Sequence, residues 1–341
     1  TIASETPTTA GDNLVFDGDK LTWKNAILDV REYIPTNDPV TQYGSTIYGT
    51  DYQYLGNSVA INSGGTRIVM GGSKIGGGTN GLVQVFEYKN GDWIQLGNTL
   101  EGGTQDEFGT SVGMNSEGTR IIVGAPCSNN NNQGYANVYD FSLTTNDWEK
   151  IGPSNYTLEG DTHDDSHEER WGQFVAINGS GNRVAFSSPQ FNDRSGRVKI
   201  YNLSNGQYDL DASLNGENSD DHFGFNIKFS DSGNRLVLGA KYYNTSVGKF
   251  YLYEKSTNGN WAINQSYTAG QGGNYTGENI NISGDGKVLM YGENYQDGRV
   301  MIGRELSDGT FNWYEFNMNS GNNSPYSQNL QSNFGNRGSI T

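Results

Sequence analysis

The sequence predicts an all-β fold, a β-propeller of about six four-stranded blades, or seven with an incomplete blade. Three observations carry this. A glycine turn recurs as N-S-G-G-T-R (62–67), N-S-E-G-T-R (115–120), N-G-S-G-N-R (178–183), S-D-S-G-N-R (230–235) and S-G-D-G-K (283–287). Its marker glycines Gly65, Gly118, Gly181, Gly233 and Gly286 are spaced by 53, 63, 52 and 53 residues, a period that signals repeated supersecondary units. Glycine is abundant, 48 of 341 residues with only 7 prolines, and 21 tyrosines and 14 phenylalanines add β-preferring aromatics.

Each repeat supplies four strand signals in order. The first, T-S-V-G-M at 110–114, leads into the glycine turn. The second is a short continuous apolar run, Arg120–Ala125, with Ile68–Met70, Val184–Phe186, Leu236–Leu238 and Val288–Met290 as counterparts. Such runs suit strands buried on both faces. The third alternates, as at Ala136/Val138, Val83/Val85, Val198/Ile200, Phe250/Leu252 and Val300/Ile302. The fourth is marked by an aromatic: Trp93, Trp148, Tyr208, Trp261 or Trp313. Those rings are expected to pack between blades.

Residues 1–12 are expected to be an extended or disordered lead, and 13–341 a single propeller domain. Within it, Asn13–Trp23 reads as a hairpin turning at Asp17–Asp19. The string S-N-F-G-N-R-G-S-I-T (332–341) opens a further repeat, truncated over 334–341.

The strings D-E-F-G-T-S-V…G-T-R-I-I-V-G-A-P and D-D-H-F-G-F-N-I…N-R-L-V-L-G-A resemble the FG-GAP repeat of integrin α-chain propellers and related extracellular proteins, and the W-x-Q-L-G…L-x-G segment resembles FG-GAP-like arrays of microbial and large-virus surface proteins. The resemblance runs from about Val40 to Trp313. It implies a propeller, extracellular or particle-surface placement, and adhesion, recognition or assembly. It also implies a calcium loop, D-x-[DN]-x-[DN]-G-x-x-D, which this chain does not retain. Asn or Ser stands at the first carboxylate position of the turns and no acid closes them, whereas calcium takes six to eight oxygens. Glycine turns capped by Asn or Ser side chains are expected instead.

Charge narrows the partners. A formal net charge of −16 with 22 Lys+Arg argues against nucleic-acid backbones and anionic membranes. No apolar run is long enough for a membrane span. The single cysteine, Cys127, cannot form an internal disulfide. Eight N-x-[ST] sequons, at Asn155, Asn178, Asn202, Asn244, Asn264, Asn274, Asn281 and Asn322, permit a glycoprotein.

The most distinctive chemistry is E-G-D-T-H-D-D-S-H-E-E-R-W-G at 159–172, in a loop 8 residues longer than its counterpart after Trp93. On one helical turn His163 and His167 would share a face, a spacing that can bind a divalent metal, and with Asp164 and Glu168 they are the candidate metal ligands. The competing reading is a solvated acidic loop. Asp161, Asp165 and Glu169, with Asn129, Asn130 and Asn131 of the polar loop 127–134, are candidates for a partner surface. No sialidase box, G-x-S-x-G or P-loop is present, so no catalysis and no cofactor are expected. The functional expectation is a non-catalytic extracellular or particle-surface propeller engaging protein or glycan. A lectin-like propeller and a self-associating filament or coat repeat are the alternatives.

Overall fold

The computed structural model describes residues 14–17, 20–23, 26–29, 42–49, 54–73, 80–127, 133–153, 156–161, 169–268, 275–293 and 299–317. The chain divides into two compact units, Thr1–Ser45 and Thr46–Thr341. The first holds a three-stranded antiparallel sheet, β1 (Leu14–Asp17), β2 (Lys20–Trp23) and β3 (Ala26–Asp29). Its first two strands are the expected hairpin, with Asp17 opposite Lys20.

The second unit is a β-propeller, and its five described blades are antiparallel sheets in sequential strand order. Blade 1 is β4 (Ser58–Ile61), β5 (Arg67–Gly72), β6 (Asn80–Lys89) and β7 (Asp92–Gln95), and β8 (Leu100–Thr104) also pairs with β6. Blade 2 is β9 (Ser111–Met114), β10 (Arg120–Ala125), β11 (Tyr135–Ser142) and β12 (Asp147–Lys150), with β13 (Leu158–Glu159) pairing with β11. Blade 3 is β14 (Phe174–Ile177), β15 (Arg183–Ser188), β16 (Arg197–Ser204) and β17 (Gln207–Asn215). Blade 4 is β18 (Phe223–Phe229), β19 (Arg235–Ala240), β20 (Lys249–Lys255) and β21 (Trp261–Thr268). Blade 5 is β22 (Asn279–Ile282), β23 (Val288–Glu293), β24 (Arg299–Glu305) and β25 (Phe311–Asn317). All four strand signals of each repeat thus fall in strands. The lead at 1–12 and the truncated repeat at 334–341 lie outside the described residues.

Blades stack through their apolar faces. Ala185, Val198 and Ile200 of blade 3 share one core with Ile227, Leu236, Leu238 and Tyr251 of blade 4. The fourth-strand aromatics pack there too: Trp148 is buried and donates Nε1 to Leu96 O of the preceding blade at 2.9 Å. First strands of successive blades contact one another, which places them innermost.

The repeat motifs have a steric cause. A Cβ on Gly124, in β10, would lie 2.0 Å from Gly172 O of the next blade. Gly71 and Gly239 face the same constraint from Gly109 O and Gly277 O. The glycine of G-A-P therefore admits the neighbouring F-G backbone. In blade 3 the position is Ser187, and its hydroxyl donates to Gly224 O at 2.8 Å.

The turns between first and second strands use the side chains that replace the calcium-loop acids. Asn62 Oδ1 accepts from the amides of Thr66 and Arg67, both at 2.8 Å, and Asn115 Oδ1 from those of Thr119 and Arg120, both at 2.9 Å. Ser283 Oγ accepts from Val288 N at 2.9 Å. These turns meet across blades in a chain of amide-to-carbonyl bonds. Ser63 donates to Ser116 at 3.2 Å, Ser116 to Gly179 at 2.9 Å, Gly179 to Asp231 at 3.1 Å and Asp231 to Gly284 at 2.8 Å. Ser116 Oγ also reaches Asp231 Oδ1, two blades away, at 3.4 Å. Such a reach brings the turns of next-but-one blades together at this end.

Candidate functional site

At the other ends of the first strands, a polar depression opens between the loops of blades 3 and 4. Its volume is about 810 Å³, within the usual range for small-molecule sites. Three segments wall it: Arg194 from the β15–β16 loop, Asn218–His222 from the β17–β18 loop, and Tyr242–Ser246 from the β19–β20 loop.

Two related strings shape it, F-N-D-R-S-G (191–196) and Y-N-T-S-V-G (243–248). Each carries three consecutive non-glycine residues at positive φ, namely Asn192, Asp193 and Arg194, and Asn244, Thr245 and Ser246. Asp220 and His222 add φ of 63° and 53°. Left-handed backbone costs about 1–2 kcal/mol per residue, more for a β-branched Thr. Interstrand-type bonds hold it in place: His222 N donates to Arg194 O at 2.8 Å, Asp220 N to Asp193 O at 3.0 Å and Tyr275 N to Ser246 O at 3.2 Å. The positive φ at His222 recurs at Tyr54, Glu107, Arg170 and Tyr275 and belongs to the repeat, whereas the triplets 192–194 and 244–246 are found only in blades 3 and 4 among the described residues.

The electrostatics centre on His222. Its ring lies 4.6 Å from that of Tyr242, inclined by 60°. Burial pushes its pKa down to about 4; the Arg194 guanidinium lowers it further, Asp220 opposes, and the Lys241 ammonium adds a smaller lowering. The imidazole is therefore neutral at pH 7 and can accept a proton. Arg194 Nη2 is held 2.6 Å from Asp220 Oδ1. Both side chains are largely solvent-exposed, so this pair orients more than it stabilises. Asp221 sits behind them, accepting from Asn218 N and Nδ2 at 3.1 Å. Burial raises its pKa.

The acidic insertion is described only at its ends. His163, Asp164, Asp165, His167 and Glu168 lie outside the described residues, as do Asn129, Asn130 and Asn131. Asp161 is ion-paired with Arg197 at 2.7 Å and Lys199 at 2.6 Å. Glu169 is buried, its Oε2 accepting from Trp171 Nε1 at 2.9 Å. The carboxylates of both are thus engaged within the propeller. Asp106, the acid before Phe108–Gly109, accepts from the amides of Phe108 at 3.0 Å and Gly103 at 2.6 Å. Among the described residues no group of three or more His, Cys, Asp or Glu side chains is placed to hold a metal. Nor is any helix long and apolar enough to cross a membrane. Two sequon asparagines, Asn178 and Asn281, are buried and closed to glycosylation in the fold.

No protein-family model matches the chain, and no curated protein matches it in sequence. Solved structures do resemble it. A putative 6-phosphogluconolactonase from Bacteroides uniformis superposes with a TM-score of 0.52 at 14% identity, over 76% of this chain and 70% of that one. The periplasmic gluconolactonase of Pseudomonas aeruginosa gives 0.55 at 11%, over 81% and 74%. At such identities the likeness establishes the β-propeller and nothing finer, and membership of the FG-GAP family gains no support from it.

The functional expectation is corrected by these findings. Both structures are named as lactonases, which are enzymes, and neither is an adhesion propeller. A missing linear motif therefore does not exclude catalysis in this architecture, and the expected non-enzyme is withdrawn. The non-catalytic adhesion or assembly module falls with it, as do the lectin-like and filament-repeat alternatives. His222, Arg194 and Tyr242 escaped the sequence reading because they come from three loops on two blades. The one available signal was the third histidine, in D-D-H-F-G at 220–224.

Proposed function

We propose that the chain is a hydrolase that opens the ring of a small polyhydroxylated lactone in the Arg194–His222 depression. The observation carrying this reading is a neutral imidazole beside an exposed guanidinium in a cavity whose other lining residues are all polar or tyrosine, Asp220, Asp221, Tyr242 and Tyr243 among them. The substrate class is brought over from the names of the two similar structures.

The chemistry follows from those groups. Water attacks the lactone carbonyl carbon while one imidazole nitrogen of His222 takes a water proton. Arg194, which lines the same depression, would stabilise the oxyanion of the tetrahedral intermediate. Collapse breaks the ring C–O bond, and the imidazolium returns its proton to the departing alkoxide. The product is the open hydroxy acid. Asn218, Ser219, Asn244, Thr245 and Ser246 offer donors and acceptors for substrate hydroxyls.

We further propose action outside the cytoplasm, supported by the periplasmic placement named for one similar structure. We propose as well an FG-GAP origin for the repeats, supported by the F-G pairs Phe108–Gly109 and Phe223–Gly224.

Acid release from glucono-1,5-lactone, followed in a pH-stat, tests the activity. The expected result is acceleration over the spontaneous rate, lost in Arg194→Met by roughly 100-fold. No acceleration of any aldonolactone would remove the reading.

A further inference from the structure

We propose that the Arg194–His222 depression admits an uncharged polyhydroxylated ring and turns away its phosphorylated counterpart, so that the substrates are lactones without a phosphate ester. This rests on the reading of the depression as the lactone site. The charges around the cavity carry it. Among the described residues that line it, Arg194 faces two carboxylates, Asp220 and Asp221. Arg194 Nη2 already lies 2.6 Å from Asp220 Oδ1. The wall therefore has no surplus cation, and Asp221 adds a second acid beside the pair.

The nearby lysines are matched as well. Lys241 Nζ lies 2.6 Å from Glu278 Oε1 and faces the rings of Phe225, Tyr242 and Tyr275 at 4.8, 5.3 and 5.3 Å. Lys249 Nζ lies 3.1 Å from Glu217 Oε1 and 4.7 Å from the centre of the Tyr243 ring. The backbone adds little for an anion. Phosphate is commonly cradled by unspent amides. Here the amides of Asp220, His222, Tyr242 and Ser246 donate to Asp193 O, Arg194 O, Asp221 O and Tyr242 O at 3.0, 2.8, 3.3 and 3.1 Å.

An uncharged ring meets these groups on better terms. Each hydroxyl both donates and accepts. The exposed carboxylate of Asp220 takes a hydroxyl proton, and Asn218, Ser219, Asn244 and Thr245 serve in either role. A phosphate dianion has acceptors alone, so the same carboxylate repels it. Like charge set against like charge is an effective means of rejecting a wrong ligand.

The test reads binding without turnover. The probes are 1,5-anhydroglucitol, a ring ether with no ester to hydrolyse, and its 6-phosphate. Each is titrated into the intact, isotope-labelled protein while the ring signals of His222, identified by their absence from His222→Gln, are followed. 1,5-Anhydroglucitol should shift those signals, and the phosphate should bind at least about tenfold more weakly at low salt. The gap should narrow at ~0.5 M salt, where screening shortens the reach of the wall charges. Asp220→Asn, which releases Arg194, should tighten phosphate binding by about tenfold. Equal or tighter binding of the phosphate by the parent overturns the proposal, as does a His222 signal that moves with neither probe. Phosphate affinity unchanged in Asp220→Asn overturns charge as the cause. Selective binding of 1,5-anhydroglucitol without any lactone hydrolysis would remove the hydrolase reading and leave this selectivity standing.

Discussion

Arg120 joins two blades through Gly181: its Nη1 donates to the Gly181 carbonyl of the next blade at 3.0 Å, while Nε and Nη2 hold Asp140 of its own. The arrangement recurs. Arg67 reaches Gly118 O at 3.1 Å and pairs with Glu87, and Arg235 reaches Gly286 O at 3.0 Å. Arg183 reaches Gly233 O at 2.5 Å but takes Asn202 as its third-strand partner. The arginine of each G-T-R or G-N-R turn thus serves as a blade-to-blade clamp.

Replacing Arg120 with Met should cost about 2–3 kcal/mol, the range for a hydrogen bond to a charged group that leaves a half-buried carboxylate unpaired. Urea unfolding with an unchanged slope reads this directly. A loss under about 0.5 kcal/mol, ordinary for a surface site, would mean the clamp is decorative.

Gly124→Ala should be far worse than a surface glycine change, because its Cβ would sit 2.0 Å from a backbone oxygen that cannot yield. A loss of more than about 3 kcal/mol, or no folded protein, is expected. Gly91→Ala is the comparison. There φ is +85° and nothing lies within 4 Å, so strain alone predicts about 1–2 kcal/mol. Equal melting points for the two variants would refute the packing account of the G-A-P glycine.

Thr245→Gly should raise stability by up to ~1 kcal/mol, since Thr245 is held at φ 58° and glycine removes that strain against a modest entropic cost. Chemical denaturation decides it. A destabilised Thr245→Gly would show that the threonine side chain contributes more than its backbone costs.

His222 gives stability a signed pH dependence. Its pKa falls from the ordinary 6.5 to about 4 on folding, so between those values the unfolded chain binds more protons. Stability from this group is intact above pH 6.5 and drains away as pH falls towards 4. Asp221, whose pKa is raised, works in the opposite direction above the ordinary carboxylate range. His222→Gln should flatten the melting-temperature profile across pH 4 to 6.5. An identical profile in the variant would mean the imidazole titrates normally.

Much of the fold was legible because its determinants are local and repeated. The Asn62 and Asn115 turns, the Ile121–Val123 run and the Trp148 strand each sit in one segment and recur in register. Among the described residues five four-stranded blades lie in 54–317 and a three-stranded sheet lies in the Thr1–Ser45 unit; the segments on which a count of six or seven depends lie outside the described residues. The site was least legible. Local density of charge drew attention to 159–172, whereas the depression is assembled from loops that are separately unremarkable. His222 is displaced from Arg194 by 28 positions and from Thr245 by 23, and no linear spacing announces that combination.

The most direct test of the hydrolase account is kcat/KM for glucono-1,5-lactone against pH, with His222→Gln beside the parent and both confirmed folded by circular dichroism. The account predicts a plateau at neutral pH and a fall in the parent as the imidazole protonates near pH 4. His222→Gln should lie lower by about 100-fold or more, the share of a general base. A variant as active as the parent, or a profile with no limb near that pH, would contradict His222 as the base.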